Sequence, residues 1–266
     1  MKSIVRWGAT LGVVGSAVVG SSLMGAMPVL ALPQAQVVQK LGPVPVFTIT
    51  DAKGAPLVAS VPKGQNRGSV AGVFISQRDA QAFVEQLKKK NPDLGKSVRV
   101  VPVSLGEVYQ LDQANKKKSN ALDFTYVPEQ QQVNSALALL QQSGQKVNQF
   151  NGTPLFVAKA GQKKGYLTIK QANQQVIPFF FNKEQLQELL DRFKQQQPNL
   201  ASTAEIQVVN LEGVIQALQT RNDAQLNEIM LIPPKASIEY VRSLQPPAGA
   251  QNQGARPAVG QSVKKR

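Results

Sequence analysis

Between residues 44 and 245 the chain alternates short β-branched runs with stretches of helical periodicity. Val44–Thr50 is an apolar run closed by Asp51-Ala52-Lys53-Gly54, a strand followed by turn chemistry. Pro56–Val61 and Ser69–Ile75 read as two further strands. Ser76 then occupies a helix N-cap position with Asp79 three residues on, and Ala80, Phe83, Val84 and Leu87 follow i, i+3, i+4, i+7 spacing. That face of the helix is predicted to be buried, and Asn91-Pro92 ends it. A strand over Val98–Val103, a helix capped by Ser104 to about Asn115, an alternating strand through Leu122, Phe124 and Tyr126, and a helix after Pro128 carrying Val133, Ala136, Leu137 and Leu140 complete the unit.

The unit then recurs. Val73–Asp79 lies 106 positions before Phe179–Gln185, and at that offset Ala80, Phe83, Val84 and Leu87 fall on Leu186, Leu189, Leu190 and Phe193. Pro92 falls on Pro198, Leu105 on Leu211 and Pro128 on Pro234, while Pro45-Val46-Phe47 precedes Pro154-Leu155-Phe156 by 109. A repeat of this length is one structural unit used twice. The predicted fold class is α+β, two similar β-β-β-α-β-α-β-α halves in a pseudo-two-fold arrangement with a shared core or joined sheet. The first half covers 44–144 and the second 145–245, with a lead-in over 32–43 of little periodicity.

The two ends read differently. Lys2 and Arg6 precede a stretch without charge from Trp7 to Ala31, closed by Val29-Leu30-Ala31. This is the pattern of a secretory signal over 1–31, with cleavage between Ala31 and Leu32 expected. An uncleaved anchor is the rival, since 25 residues can span a bilayer. Residues 246–266 are mostly Pro, Gly, Ala, Gln and Asn and end in Lys264-Lys265-Arg266, a tail with little to bury and expected to be disordered.

Composition removes most chemistry. There is no Cys and no His. Disulfides, thiolate nucleophiles, Cys/His zinc sites and imidazole acid–base pairs are therefore excluded. Gly95-Lys96-Ser97 lacks the upstream glycine of a phosphate loop, because Lys90 stands in its place. Ser60 and Lys63 have the spacing of a Ser–Lys nucleophile, but Pro62 and Gly64 disfavour the helix that would stack them. Glu107, Asp112, Asp123, Glu205 and Glu212 show no spacing that selects an acid–base pair. Asn151-Gly152-Thr153 is a sequon only in a eukaryotic secretory pathway and otherwise a turn. The chain is expected not to be an enzyme and to carry no cofactor and no metal. The net charge of +14 gathers in Lys88-Lys89-Lys90, Lys116-Lys117-Lys118 and Lys163-Lys164. Such clusters suit solubility or an anionic surface; the interleaved aromatics of a nucleic-acid site are absent.

Pro43–Thr50, Gly72–Phe83, Val101-Pro102-Val103-Ser104-Leu105 and Val108-Tyr109-Gln110-Leu111 resemble a known family. It is the 22-kilodalton subunit of the Tic translocon, the inner-envelope import machinery of chloroplasts, in its cyanobacterial form. The resemblance covers roughly 40–245 and contains no reactive motif. It implies a two-winged fold with apolar pockets, located in the periplasm or, in plastids, the intermembrane space. It further implies a chaperone-like role in protein transport to or across the outer envelope. The partners expected are unfolded or outer-membrane client proteins. The alternative is an adaptor docking to an outer-membrane barrel, or to an anionic membrane surface, through its basic face. No small-molecule substrate is expected.

The candidate client-binding residues are Phe179, Phe181, Phe124 and Tyr126. In a strand Phe179 and Phe181 point opposite to Phe180, which is expected on the helix side. They would form an aromatic strip, extended by Phe124 and Tyr126 across the pseudo-two-fold, unless a later helix such as Ile238–Leu244 covers it and makes it core.

Overall fold

The computed structural model describes residues 11–13, 32–60, 69–116, 122–221 and 223–245. Residues 1–10 and 14–31, and with them Ala31, lie outside the described residues, as do Lys63, Lys117, Lys118 and the tail 246–266. A three-residue strand β1 (Leu11–Val13) precedes helix α1 (Gln34–Leu41). The first half then runs β2 (Pro45–Asp51), β3 (Val58–Ser60), β4 (Ser69–Phe74), α2 (Gln77–Lys90), α3 (Pro92–Ser97), β5 (Val98–Ser104), α4 (Leu105–Asn115), β6 (Leu122–Val127) and α5 (Gln130–Gln142). The second runs β7 (Pro154–Ala160), β8 (Gly165–Gln171), β9 (Gln174–Phe180), α6 (Lys183–Gln196), α7 (Pro198–Ala201), β10 (Glu205–Asn210), α8 (Leu211–Thr220), a 3₁₀ turn (Ala224–Glu228), β11 (Ile229–Ile232) and α9 (Lys235–Ser243). The fold is mixed α+β, with a short helix after Pro92 and Pro198 that periodicity did not reveal.

Four strand pairings recur in both sheets, while the β7–β8 and β1–β8 pairings have no counterpart in the first sheet among the described residues. β2 is antiparallel to β5 with Pro45 opposite Ser104, and β7 is antiparallel to β10 with Pro154 opposite Asn210. Phe47 faces Phe74 between β2 and β4, as Phe156 faces Phe180 between β7 and β9. β6 runs parallel to β4 and β11 parallel to β9. β3 pairs with β4, β8 pairs with β9 and β7, and β1 adds to β8.

Local chemistry sets the helix starts. Ser76 Oγ accepts from Asp79 N, and Asn182 Oδ1 accepts from Gln185 N at the equivalent position. Ser104 and Glu107 form a reciprocal capping box on α4. Lys88, Lys89 and Lys90 sit in the last turn of α2, where cations interact favourably with the negative end of the helix dipole.

One core is shared by both sheets. Val46, Val73 and Ile75 from the first and Leu155, Val157, Ile177, Phe179 and Phe181 from the second meet Leu105, Val108 and Tyr109 of α4 and Leu211, Val214 and Leu218 of α8. Val37 and Leu41 of α1 join them, fully buried. The lead-in over 32–43 is thus a helix of the central core. A single i, i+4 apolar pair is too short to register as periodicity. Gly106 lets α1 cross α4 closely: a Cβ there would meet Val38 O at 2.7 Å.

Each outer sheet face has its own core, and the last helix of each half packs on the other half's sheet. Ala136 and Leu139 of α5 join Phe156, Phe180, Leu186 and Phe193 over the second sheet. Tyr240 of α9 packs edge-on to Phe47 over the first sheet, at 5.7 Å between ring centroids. Gln132 of α5 is buried at this crossing; it donates to Glu184 and accepts from Lys183 N. Ser237 of α9 correspondingly donates to Ile75 O.

One predicted core residue is misplaced. Phe83 is 43% exposed, tilted against Phe74, while Ala80 and Val84 carry the buried stripe of α2. Ala80 replaces the bulkier Leu186 of the second half, and Tyr240 fills part of the first outer core, so the Phe83 ring stays at the rim.

Candidate functional site

The four residues singled out as a client surface do not form an open strip. Phe179 is 4% and Phe181 2% exposed, both in the shared core, with the Tyr166 ring 6.1 Å from that of Phe179. Inward orientation follows from strand alternation, since Phe180 takes the outer face against α6. The cover comes from the central helices and the opposite sheet, not from Ile238–Leu244. Phe124 and Tyr126 are half-buried on the inner side of β6 and pack on the same core. Burial, with Asp112 and Glu212 nearby, pushes the Tyr126 hydroxyl far above the usual tyrosine range. Leu32, at the expected cleavage point, packs part-buried on the shared core.

Four of the five candidate carboxylates are engaged by other partners. Glu107 belongs to the capping box, Asp112 pairs with Lys116, Glu205 with Lys164, and Glu212 accepts from Thr153 N and Oγ1. Gly152, at φ +88°, makes the sequon a tight turn against Asn210 and Glu212. Gly95-Lys96-Ser97 lies in α3, packed on Lys88.

Two clefts remain. The first, of about 380 Å³, lies where the N-termini of α2, α5, α6 and α9 converge, among Ser76, Arg78, Glu129, Asn182, Glu184 and Lys235. Its charges are mixed, and Lys235 is paired with Glu188. Burial raises the Glu129 carboxyl above its ordinary pKa, reinforced by Asp79 and Glu184 and opposed by Arg78. The folded state therefore holds this proton more tightly than the unfolded state. The associated stability is present below the ordinary carboxylate range and is lost as pH rises through the raised value. Glu129→Gln is expected to match the native protein in thermal melts near pH 4 and to be the more stable near pH 8. Equal stabilities at both pH values would refute this.

The second cleft, of about 370 Å³, runs between the C-terminal part of α5 and β10. It is lined by Leu139, Leu140, Ile206, Gln207 and Val208, with Lys159 and Lys164 at one end. The Lys159 ammonium sits 4.7 Å from the Tyr166 ring centroid. This groove combines the apolar side chains of Leu139, Leu140, Ile206 and Val208 with a polar lining of Ser143, Gln145 and Glu205. Sequence reasoning passed over it because its two sides come from different halves. Among the described residues no group of three acidic side chains is placed to hold a metal, and no helix is long and apolar enough to cross a membrane.

Comparison with known proteins identifies the family. The Tic22-like family model matches residues 1–243. An Arabidopsis thaliana protein TIC 22-like, chloroplastic, is 28% identical over 201 residues, covering 74% of this chain and 59% of its own length. The Arabidopsis protein TIC 22, chloroplastic, is 27% identical over 219 residues, 82% of this chain and 74% of its own. The solved structure of Anabaena Tic22, described as a protein-transport protein, is 39% identical with a TM-score of 0.72, covering 81% of this chain and 99% of that one. Tic22 from Plasmodium falciparum shares the fold at 20% identity and a TM-score of 0.60, over 78% of this chain and 96% of that one. On a match that runs through nearly all of its described residues, the chain belongs to the Tic22-like family.

Proposed function

We propose that this protein is a non-enzymatic, chaperone-like periplasmic factor that binds client proteins in transport to or across the outer membrane. The likeness to Anabaena Tic22 carries the reading, because it is 39% identical over nearly the whole of that protein and is described as protein transport. The Arabidopsis relatives are named as chloroplastic, and a periplasm is the bacterial counterpart of the space outside an inner envelope. The N-terminal signal pattern supports export. The groove of Leu139, Leu140, Ile206 and Val208 supports client binding over docking through a flat charged face. The corresponding pairings of the two sheets support a pseudo-two-fold, two-winged arrangement of the halves.

The test is direct. A urea-denatured outer-membrane barrel protein is diluted into buffer with and without the purified protein, and light scattering is followed. Suppressed scattering at near-stoichiometric ratios is expected. Unchanged scattering, together with saturable binding to folded barrel in detergent, would favour the adaptor reading instead.

A further inference from the structure

We propose that the free edge of β10 is a strand-addition site that takes an extended client segment of alternating apolar and polar residues. The proposal rests on the client-binding reading and assigns it a place and a mode.

The hydrogen-bond register shows which groups are on offer. Leu211 N donates to Thr153 O at 2.8 Å, and β10 continues as Asn210 opposite Pro154, Val208 opposite Phe156 and Ile206 opposite Ala158. Bonded pairs alternate along an antiparallel ladder. Val209 with Leu155 and Gln207 with Val157 are therefore the bonded pairs. The N–H and C=O groups of Ile206 and Val208 face away from β7. β10 pairs with no other strand among the described residues.

The cleft beside β10 matches that edge. Ile206 and Val208 point to the outer face and Gln207 to the opposite one, so a cleft touching all three lies against the strand's edge. Leu139 and Leu140 of α5 form its far wall. An added strand would satisfy its main chain on β10 and set every second side chain against these leucines. Main-chain bonds would supply affinity and the leucines a preference for apolar side chains at alternate positions. Strands of outer-membrane barrels carry this alternation before they pair.

The first half shows the same edge closed. Leu105 N donates to Val44 O at 2.8 Å, so the outward-facing positions of β5 are Val100 and Pro102. Pro102 lies 106 residues before Val208 and has no N–H to donate. Proline on an edge strand blocks pairing. Thus one sheet edge is closed by a residue type and its counterpart is left open, next to a groove.

The test borrows that proline. Val208→Pro removes the outward N–H without touching a bond to β7. The probe is a fluorescein-labelled heptapeptide alternating valine and threonine with a terminal lysine, followed by fluorescence anisotropy. The native protein is expected to bind it, and a folded Val208→Pro variant to bind at least tenfold more weakly. A variant with native circular dichroism and unchanged affinity would overturn the edge site while leaving client binding standing. A native protein that binds neither the peptide nor a denatured barrel would overturn both. Should Val208→Pro not fold, two peptides N-methylated on alternate amides decide with the native protein. Strand addition demands that one set bind at least tenfold more weakly than the other, and equal affinities overturn it.

Discussion

A chain beginning at Pro43 is expected to lose most of its stability relative to one beginning at Leu32. The ten or so residues removed look dispensable, yet α1 places Val37 and Leu41 wholly inside the shared core. Burying two aliphatic side chains contributes roughly 3–6 kcal/mol. The Lys40 ammonium also donates to Asn227 O at 2.7 Å and Ile229 O at 3.1 Å, tying α1 to the start of β11. Partial burial lowers its pKa, because desolvation disfavours the charged form and offsets part of what these contacts contribute. Withdrawing α1 also opens a cavity against Gly106, where the two backbones meet. Because whole domains are stable by only about 5–15 kcal/mol, the sum is a large share. Thermal melts of the two chains are the measurement. A transition within a few degrees of the longer chain would show that α1 is an accessory.

Phe181→Ala is expected to cost about 3–5 kcal/mol, the usual range for a buried phenylalanine. In a protein of this size that lowers the melting temperature by roughly 10 °C. Phe181 is 2% exposed, and its N–H donates to Ile232 O at 3.1 Å where β9 ends beside β11. Phe83→Ala is the contrast, with less than about 1 kcal/mol expected because its ring is largely outside the core. The pair separates two residues that look alike in the sequence. Equal, small losses in both would mean that Phe181 is not a core residue.

Those two phenylalanines show where sequence reading stopped. Phe83 sits on a proper helical stripe, and periodicity identifies the face it belongs to. The volume available on that face depends on Ala80 beneath it and on Tyr240, which arrives from a helix more than 150 residues later. Phe179 and Phe181 were correctly placed opposite Phe180. Whether that side met water or another sheet was a question about a partner surface that strand alternation does not contain. The β10 groove was hidden for the same reason: α5 and β10 lie in different sequence halves.

By itself the sequence determined what acts locally or by simple count. Strand and helix identities followed from periods of two and 3.6, and helix starts from Ser76, Ser104 and their equivalents. The repeat at 106 residues determined that the order of elements recurs, and the family was legible in the strand and turn motifs. The absence of Cys and His determined which chemistries have no residues to perform them. Tertiary structure decided the rest. It made 34–41 a core helix, exchanged α5 and α9 between the halves, sealed Phe179 and Phe181, and left the β10 edge unpaired among the described residues. The physical reason is common to all four. Burial is a relation between two surfaces, and when the second is a hundred residues away no local pattern carries it.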